Sequence, residues 1–250
     1  MTGAIRYERN DRISTITIDR PEALNALTDD MHHALADTYR TFVADDDAWV
    51  AIVRGAGEKA FSVGRDLKER AGLFNEGARM RPNPVFPEID KPVIAAVHGY
   101  ALGLGFQEAL RADIRLAADT AQFALTEVRI GMAGPVEPVI RVLPFGQALY
   151  LLLTGAHVEA QQALEFGLAV RVVPAADLDA AAVELAETIC ANAPLAVRTT
   201  KQNAYHARFL TPGAAAPFIR LNSERVNASE DIKEGARAFA ERRKPVWTGR

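Results

Sequence analysis

Cysteine is almost missing from this 250-residue chain, where Cys190 stands alone. A lone thiol excludes an intrachain disulfide and a cysteine-based metal cluster, and its Ala-rich helical setting reads as a small core side chain. Histidine offers no metal site either. His32, His33, His157 and His206 are scattered without ligand spacing and read as structural or surface residues, while His98 ends an apolar run where packing or a backbone hydrogen bond is expected. Charge of one sign is also scarce. A net charge of −3 argues against bulk binding to nucleic acid, and the basic residues Arg242, Arg243, Lys244 and Arg250 read as a solvated end. No apolar run approaches the length of a membrane span, and the first residues lack a basic-then-apolar signal, so a cytoplasmic protein without a membrane partner is expected. Short-period repeats are absent, and the only low-complexity linker is a small Ala/Pro patch at 212–217.

What the chain does have is an ordinary globular balance, 49% apolar and 24% charged, with ample length for a large core. Ile5–Arg9 and Ile13–Asp19 alternate apolar and polar residues around Asn10-Asp11, a hairpin pattern. Thr28, followed by Asp29 and Asp30, caps a helix in which Met31, Leu35, Tyr39 and Phe42 recur at helical spacing. Val50–Arg54 is a short buried strand. Residues 70–90, with Pro82, Pro84 and Pro87, lack periodicity and predict a mobile loop beside the site. Further strands are expected at Ile114–Ala117, Gln122–Ala124 and Ala169–Val173, and amphipathic helices at Asp177–Ala191, Leu195–Phe209 and Ser229–Arg243. The pattern is that of one α/β domain with a helical C-terminal extension.

The segment Val93–Gly105 says most about chemistry. An apolar β-like run stops at His98-Gly99, glycines follow at 99, 103 and 105, and Phe106–Leu110 reads as helix. Such a turn exposes backbone N–H groups able to hold an anion or a developing oxyanion. It is neither a dinucleotide fingerprint, because 108 is Glu rather than Gly, nor a P-loop, because no Gly-Lys-Ser/Thr follows. The segment Lys59–Leu67 forms a second strand-to-helix turn, from which the N–H of Arg65 projects in the same way. Both turns serve one carbonyl oxygen only if they touch in space. Ala60-x-Ser62-x-Gly64 also resembles a variant nucleophile elbow, although Gly55–Lys59 separates it from the strand and no Asp or His partner follows. Glu127, in an apolar stretch just after a strand, is the candidate general base, since partial burial would raise its pKa. A surface carboxylate beside Arg129 is the alternative. Glu137 at the next helix start ranks second, and Glu108 is expected to point away from the turn.

Together these segments resemble the enoyl-CoA hydratase/isomerase family, the crotonase superfamily. The resemblance rests on Arg20-Pro21-x-x-x-Asn25-Ala26-Leu27, Ala60-Phe61-Ser62-x-Gly64-x-Asp66-Leu67 and Pro92–Val97 with Gly99, Ala101, Gly103 and Gly105. Ala193–Val197 and Glu234-Gly235…Ala238-Phe239…Pro245 extend it to the end of the chain. It implies a spiral of ββα turns over 1–195 carrying an acyl-CoA site, then a helical trimerisation region over 196–250. It further implies a homotrimer or homohexamer, and no cofactor beyond the CoA of the thioester substrate. By motif position, the Arg65 and Leu104 amides would form an oxyanion hole for a thioester enolate. Glu22, Ala23, Leu24, Ala60, Ser62, Asp66 and Leu67 would line the CoA channel.

Three departures bear on the reaction. The middle glycine of the third motif is Leu104, the first family glutamate is Gln107, and the glycine-rich turn after Glu127 reads Pro135-Val136-Glu137-Pro138. Glutamine orients water or a carbonyl but exchanges no proton at neutral pH. A single base suits moving a double bond from the 3- to the 2-position better than efficient hydration. Hydrolysis, decarboxylation or C–C bond cleavage or formation on a specialised acyl-CoA, with Glu137 assisting, is an alternative, as is a CoA-binding protein without catalysis.

Overall fold

The computed structural model describes residues 3–75 and 81–249. It opens with the expected hairpin, β1 (Ala4–Asn10) and β2 (Ile13–Asp19), paired antiparallel. Asp11 takes a left-handed φ of 50° in its turn, a conformation Asp tolerates. In α1 (Asp29–Ala44), the Thr28 hydroxyl accepts the Met31 N–H at 3.1 Å, and Asp29 and Asp30 face the positive end of the helix dipole.

Three units of similar plan follow: β3 (Val50–Gly55), β4 (Ala60–Ser62) and α2 (Leu67–Asn75); β5 (Val93–Val97), β6 (Tyr100–Leu102) and α3 (Leu104–Arg111); β7 (Ile114–Ala118), β8 (Gln122–Ala124) and a single 3₁₀ turn, Glu127–Ile130. The remainder comprises α4 (Val136–Val142), α5 (Phe145–Thr154), β9 (Val158–Glu159), α6 (Ala160–Glu165), β10 (Arg171–Val173), α7 (Leu178–Cys190), α8 (Pro194–Phe209), α9 (Pro212–Asn227) and α10 (Glu230–Glu241). The first strand of each unit enters a sheet ordered β1-β2-β3-β5-β7-β10, and the second enters a sheet ordered β4-β6-β8-β9. This is the implied spiral of ββα turns, with a helical C-terminal region.

Burial explains why the strands of the larger sheet read as near-continuous apolar runs. Val50, Ile52, Ile94, Ala96, Leu116 and Ala118 pack against α7, through Leu178, Ala181, Ala182 and Ala186. Their alternating neighbours, such as Ala51, Val53, Ala95, Val97 and Ala117, join α1 and the rings of Phe61, Phe106 and Phe123 in the larger core. A parallel sheet covered on both faces has no polar side to reveal its period.

Two expectations need correction. The Ala/Pro patch at 212–217 is no linker; it starts α9, with Pro212 in the first turn, where its missing N–H costs nothing, and alanines that favour helix. The expected loop over 70–90 is helical as far as Asn75, 76–80 lie outside the described residues, and 81–90 carries neither helix nor strand. That last stretch is tied down by side chains: Arg40 donates to Val85 O, Arg65 donates to Asn83, and Arg81 pairs with Asp30 at 3.0 Å. Among the described residues, no single helix is long and apolar enough to cross a membrane.

Candidate active site

The two glycine turns meet backbone to backbone. Gly64 follows β4 with φ 89°, and a Cβ there would lie 2.7 Å from Leu102 O and 2.9 Å from Leu104 N. A Cβ at Gly105 would lie 2.1 Å from Ser62 O. Nothing larger than hydrogen fits at either place, so the glycines are what let the second turn approach the first.

That approach sets the Leu104 N beside the first glycine turn. Leu27 N–H donates to Gly64 O at 2.7 Å, and Asp66 N–H donates to Leu27 O at 2.9 Å. In such a parallel bridge the intervening residue presents its own N–H and C=O to the opposite side, so the Arg65 N–H faces away from Leu27. Leu104 opens α3 after Gly103, whose φ of 51° and ψ of −121° suit only glycine. As the first helical residue, Leu104 has no intrahelical acceptor for its N–H, and the helix dipole favours negative charge there. Among the described residues neither the Arg65 nor the Leu104 N–H has a backbone acceptor.

Glu127 stands over the same turn. It starts the 3₁₀ turn after β8, and a Cβ at Gly103 would lie 3.3 Å from its Oε1. Its Oε2 is buried without a hydrogen-bond partner among the described residues, and burial raises the pKa above the ordinary carboxylate value, only partly offset by its own backbone N–H. The alternative partner Arg129 turns elsewhere, with its side chain against Gly155. A half-desolvated carboxylate set against the Gly103 turn can exchange a proton with a carbon next to a carbonyl.

The other candidates fall into distinct places. Gln107 is half-buried on α3, where its N–H donates to Gly103 O at 3.0 Å and closes the first helical turn. Glu137 is exposed, paired with Arg141 at 2.5 Å, and lines a groove shared with Arg115, Lys201 and Tyr205 rather than with Glu127. Glu108 is fully buried, where it meets Arg111 and lies near His32. Glu22 and Ala23 form a 3₁₀ turn with Pro21, and Leu24 caps it with a left-handed φ of 53°; the Val63 N–H donates to Leu24 O at 3.1 Å and joins this turn to the first glycine turn. Leu67 is exposed beside them, whereas Ala60 is buried. Asp66 caps α2, accepting the Lys68 and Glu69 N–H groups and pairing with Arg20 at 2.6 Å, with the Arg20 hydrogen bond as the main reason its pKa falls. His98 is packed as anticipated, and burial lowers its pKa.

Ser62 is fully buried and already engaged. Its hydroxyl donates to Asn25 O at 2.8 Å and accepts the Gly64 N–H at 3.2 Å, which leaves no geometry for a nucleophile. Ser62→Ala is therefore expected to cost about 1–3 kcal/mol of stability in a denaturant melt while the folded variant keeps its turnover. Abolished turnover in a folded variant would restore the nucleophile reading. Two residues escaped the sequence reading. Asn25, buried with φ 57°, accepts the Arg20 N–H and donates to Ala56 O and Ala60 O, pinning the first turn from below. Its signal was a polar residue inside an apolar motif. His32 had no such signal, because its partners Arg65 and Glu108 are distant in sequence.

The family profile described as Enoyl-CoA hydratase/isomerase matches residues 8–250. A carnitinyl-CoA dehydratase of Escherichia coli is 39% identical over 263 residues, covering 100% of both chains. Among solved structures, an enoyl-CoA hydratase from Mycobacterium tuberculosis superposes with a TM-score of 0.89 at 37% identity, covering 98% of this chain and 99% of that one. An enoyl-CoA hydratase from Bacillus anthracis superposes with a TM-score of 0.91 at 30% identity, with the same coverage.

Proposed function

The chain belongs to the enoyl-CoA hydratase/isomerase family, and from that premise we propose that it is an acyl-CoA enzyme that isomerises enoyl thioesters with Glu127 as its single proton shuttle. The observation that carries this reading is the Glu127 carboxylate, with one unpartnered oxygen, set against the Gly103 turn next to the free Leu104 amide. The ionised carboxylate takes a proton from C2 of a 3-enoyl thioester. The electron pair left behind flows into the thioester carbonyl, and the Arg65 and Leu104 amides hold the resulting enolate oxygen. Each such donor is worth about 2.7–4 kcal/mol in another enzyme where one was removed. Glu127 then returns the proton to C4, which leaves the double bond at C2. Gln107 cannot join this proton traffic, but its amide can orient the thioester or a water. Glu22, Ala23, Leu24, Asp66 and Leu67 form the wall along which CoA lies, whereas Ala60 and Ser62, expected there, are buried behind it and support it from within. No cofactor is needed besides the CoA of the substrate. Exposed apolar side chains such as Phe145, Leu153, Phe218, Leu221 and Phe239 favour assembly into a trimer or hexamer.

The names of the relatives favour a second reading, reversible addition of water to a 2-enoyl thioester, in which Glu127 serves as both acid and base. Mass spectrometry of trans-3-hexenoyl-CoA and trans-2-hexenoyl-CoA, each incubated with the enzyme in D₂O, separates the two. Conversion of the 3-enoyl to the 2-enoyl isomer with little water addition is the expected result. Rapid mass gain from water addition would replace isomerisation with hydration. Silence toward both, with CoA binding intact, would move the reading to a specialised acyl-CoA or a non-catalytic binder.

A further inference from the structure

Glu108 is fully buried one helical turn after Leu104. A carboxylate at such depth is costly unless paired. Glu108 meets Arg111 Nε at 3.0 Å, while His32 Nε2, buried without a hydrogen-bond partner among the described residues, packs 3.7 Å from Glu108 Oε1; burial pushes the Glu108 pKa up, but these neighbours pull harder and the net direction is down. His32 is buried as well, and its Nδ1 lies 3.4 Å from Arg65 Nη2. A guanidinium only donates, so Nδ1 accepts, and the ring proton sits on Nε2, facing Glu108. Arg65 is further fixed by Asp29 Oδ1 at 2.6 Å.

This line of side chains runs from the residue that supplies one free amide to the helix that supplies the other. The backbone contact between the turns sets only a lower limit on their separation, since Gly64 and Leu104 cannot come closer. The β4–β6 pairing holds the starts of the two turns together, but beyond it no backbone hydrogen bond among the described residues joins 63–66 to 103–106. Arg111 alone would neutralise Glu108; the added reach through His32 to Arg65 gives the two turns a tie. We infer that Arg65, His32 and Glu108 form a cross-brace that fixes the spacing of the Arg65 and Leu104 amides, which makes His32 and Glu108 positioning residues. The inference rests on the enolate-holding role proposed for those amides.

The test reads the bond that the amides polarise. Infrared difference spectra of trans-2-hexenoyl-CoA labelled with ¹³C at the carbonyl report how far binding lowers the C=O stretch. The wild type is expected to lower it clearly. His32→Leu is expected to lose at least half of that lowering and about tenfold in kcat with little change in KM, as misplaced donors do. His32→Gln is expected to recover both, because its amide can accept from Arg65 and donate to Glu108. Arg65→Met, which keeps the main-chain N–H and removes the guanidinium, carries the same expectation if His32→Leu does not fold. A folded His32→Leu or Arg65→Met with the full wild-type lowering overturns the brace alone. A wild type that binds the thioester without lowering the stretch overturns the enolate reading, and the brace with it.

Discussion

Glu127→Gln is expected to cut isomerase turnover by about 10²–10⁴ while leaving thioester binding nearly intact, the usual loss when a general base is removed. The substitution keeps the shape of the side chain against Gly103 and removes only its ability to exchange a proton. Burial raises the Glu127 pKa, and catalysis needs the ionised form, so wild-type kcat is expected to fall as pH drops through that raised value. The residual rate of the variant should show no such step. Stability should move the opposite way. With the folded pKa above the unfolded one, the native state holds more protons between the two, and stability falls as pH rises through that window. Glutamine escapes this penalty, so Glu127→Gln should gain melting temperature relative to the wild type as pH rises from about 4 to about 8. Stopped assays across pH and paired thermal melts check both halves. An unchanged turnover would remove Glu127 from the mechanism.

Gly105→Ala is expected to be among the most damaging single methyl additions near the site. The added Cβ would lie 2.1 Å from Ser62 O, a backbone atom of β4 that cannot rotate away. Relief requires α3 to move off the first glycine turn, which separates the Arg65 and Leu104 amides and weakens the contact of Phe106 with the core. The expected cost is about 3 kcal/mol or more in stability, at the upper end for overpacked sites. Turnover in whatever folds should fall by about 10²–10³, the loss seen when one oxyanion donor is removed. The helical backbone of Gly105 is ordinary, so the effect would come from space rather than from φ. A variant with native stability and turnover would mean that the two turns can part without consequence.

Elements with a local signal were legible in the sequence. The hairpin at Asn10-Asp11, the Thr28 cap and the helices α7, α8 and α10 all follow patterns confined to neighbouring residues. The strands β4 and β6 were not read, because they lie inside Lys59–Leu67 and Val93–Gly105, whose glycines mark turns. They are nonetheless what brings the glycine turns together, since β4 and β6 pair side by side. The site was visible in part for the same reason. Glycines at 64, 103 and 105 marked the turns, but their contact depends on pairing across about forty residues of intervening chain. Glu108 follows the second turn in sequence, whereas His32, which packs near it, lies on another helix and carried no local mark.

The main-chain amides proposed as the anion-holding groups would have a consequence for how such a protein can change. Every amino acid except proline brings the same N–H to positions 65 and 104. The side chains there are released for unrelated work, and this chain uses both: Arg65 reaches to Asp29 and His32, and Leu104 packs against the core. A lineage can therefore reshape its pocket by substitution at these two positions and keep its grip on negative charge throughout. Only proline, or a shift of the chain itself, takes that grip away.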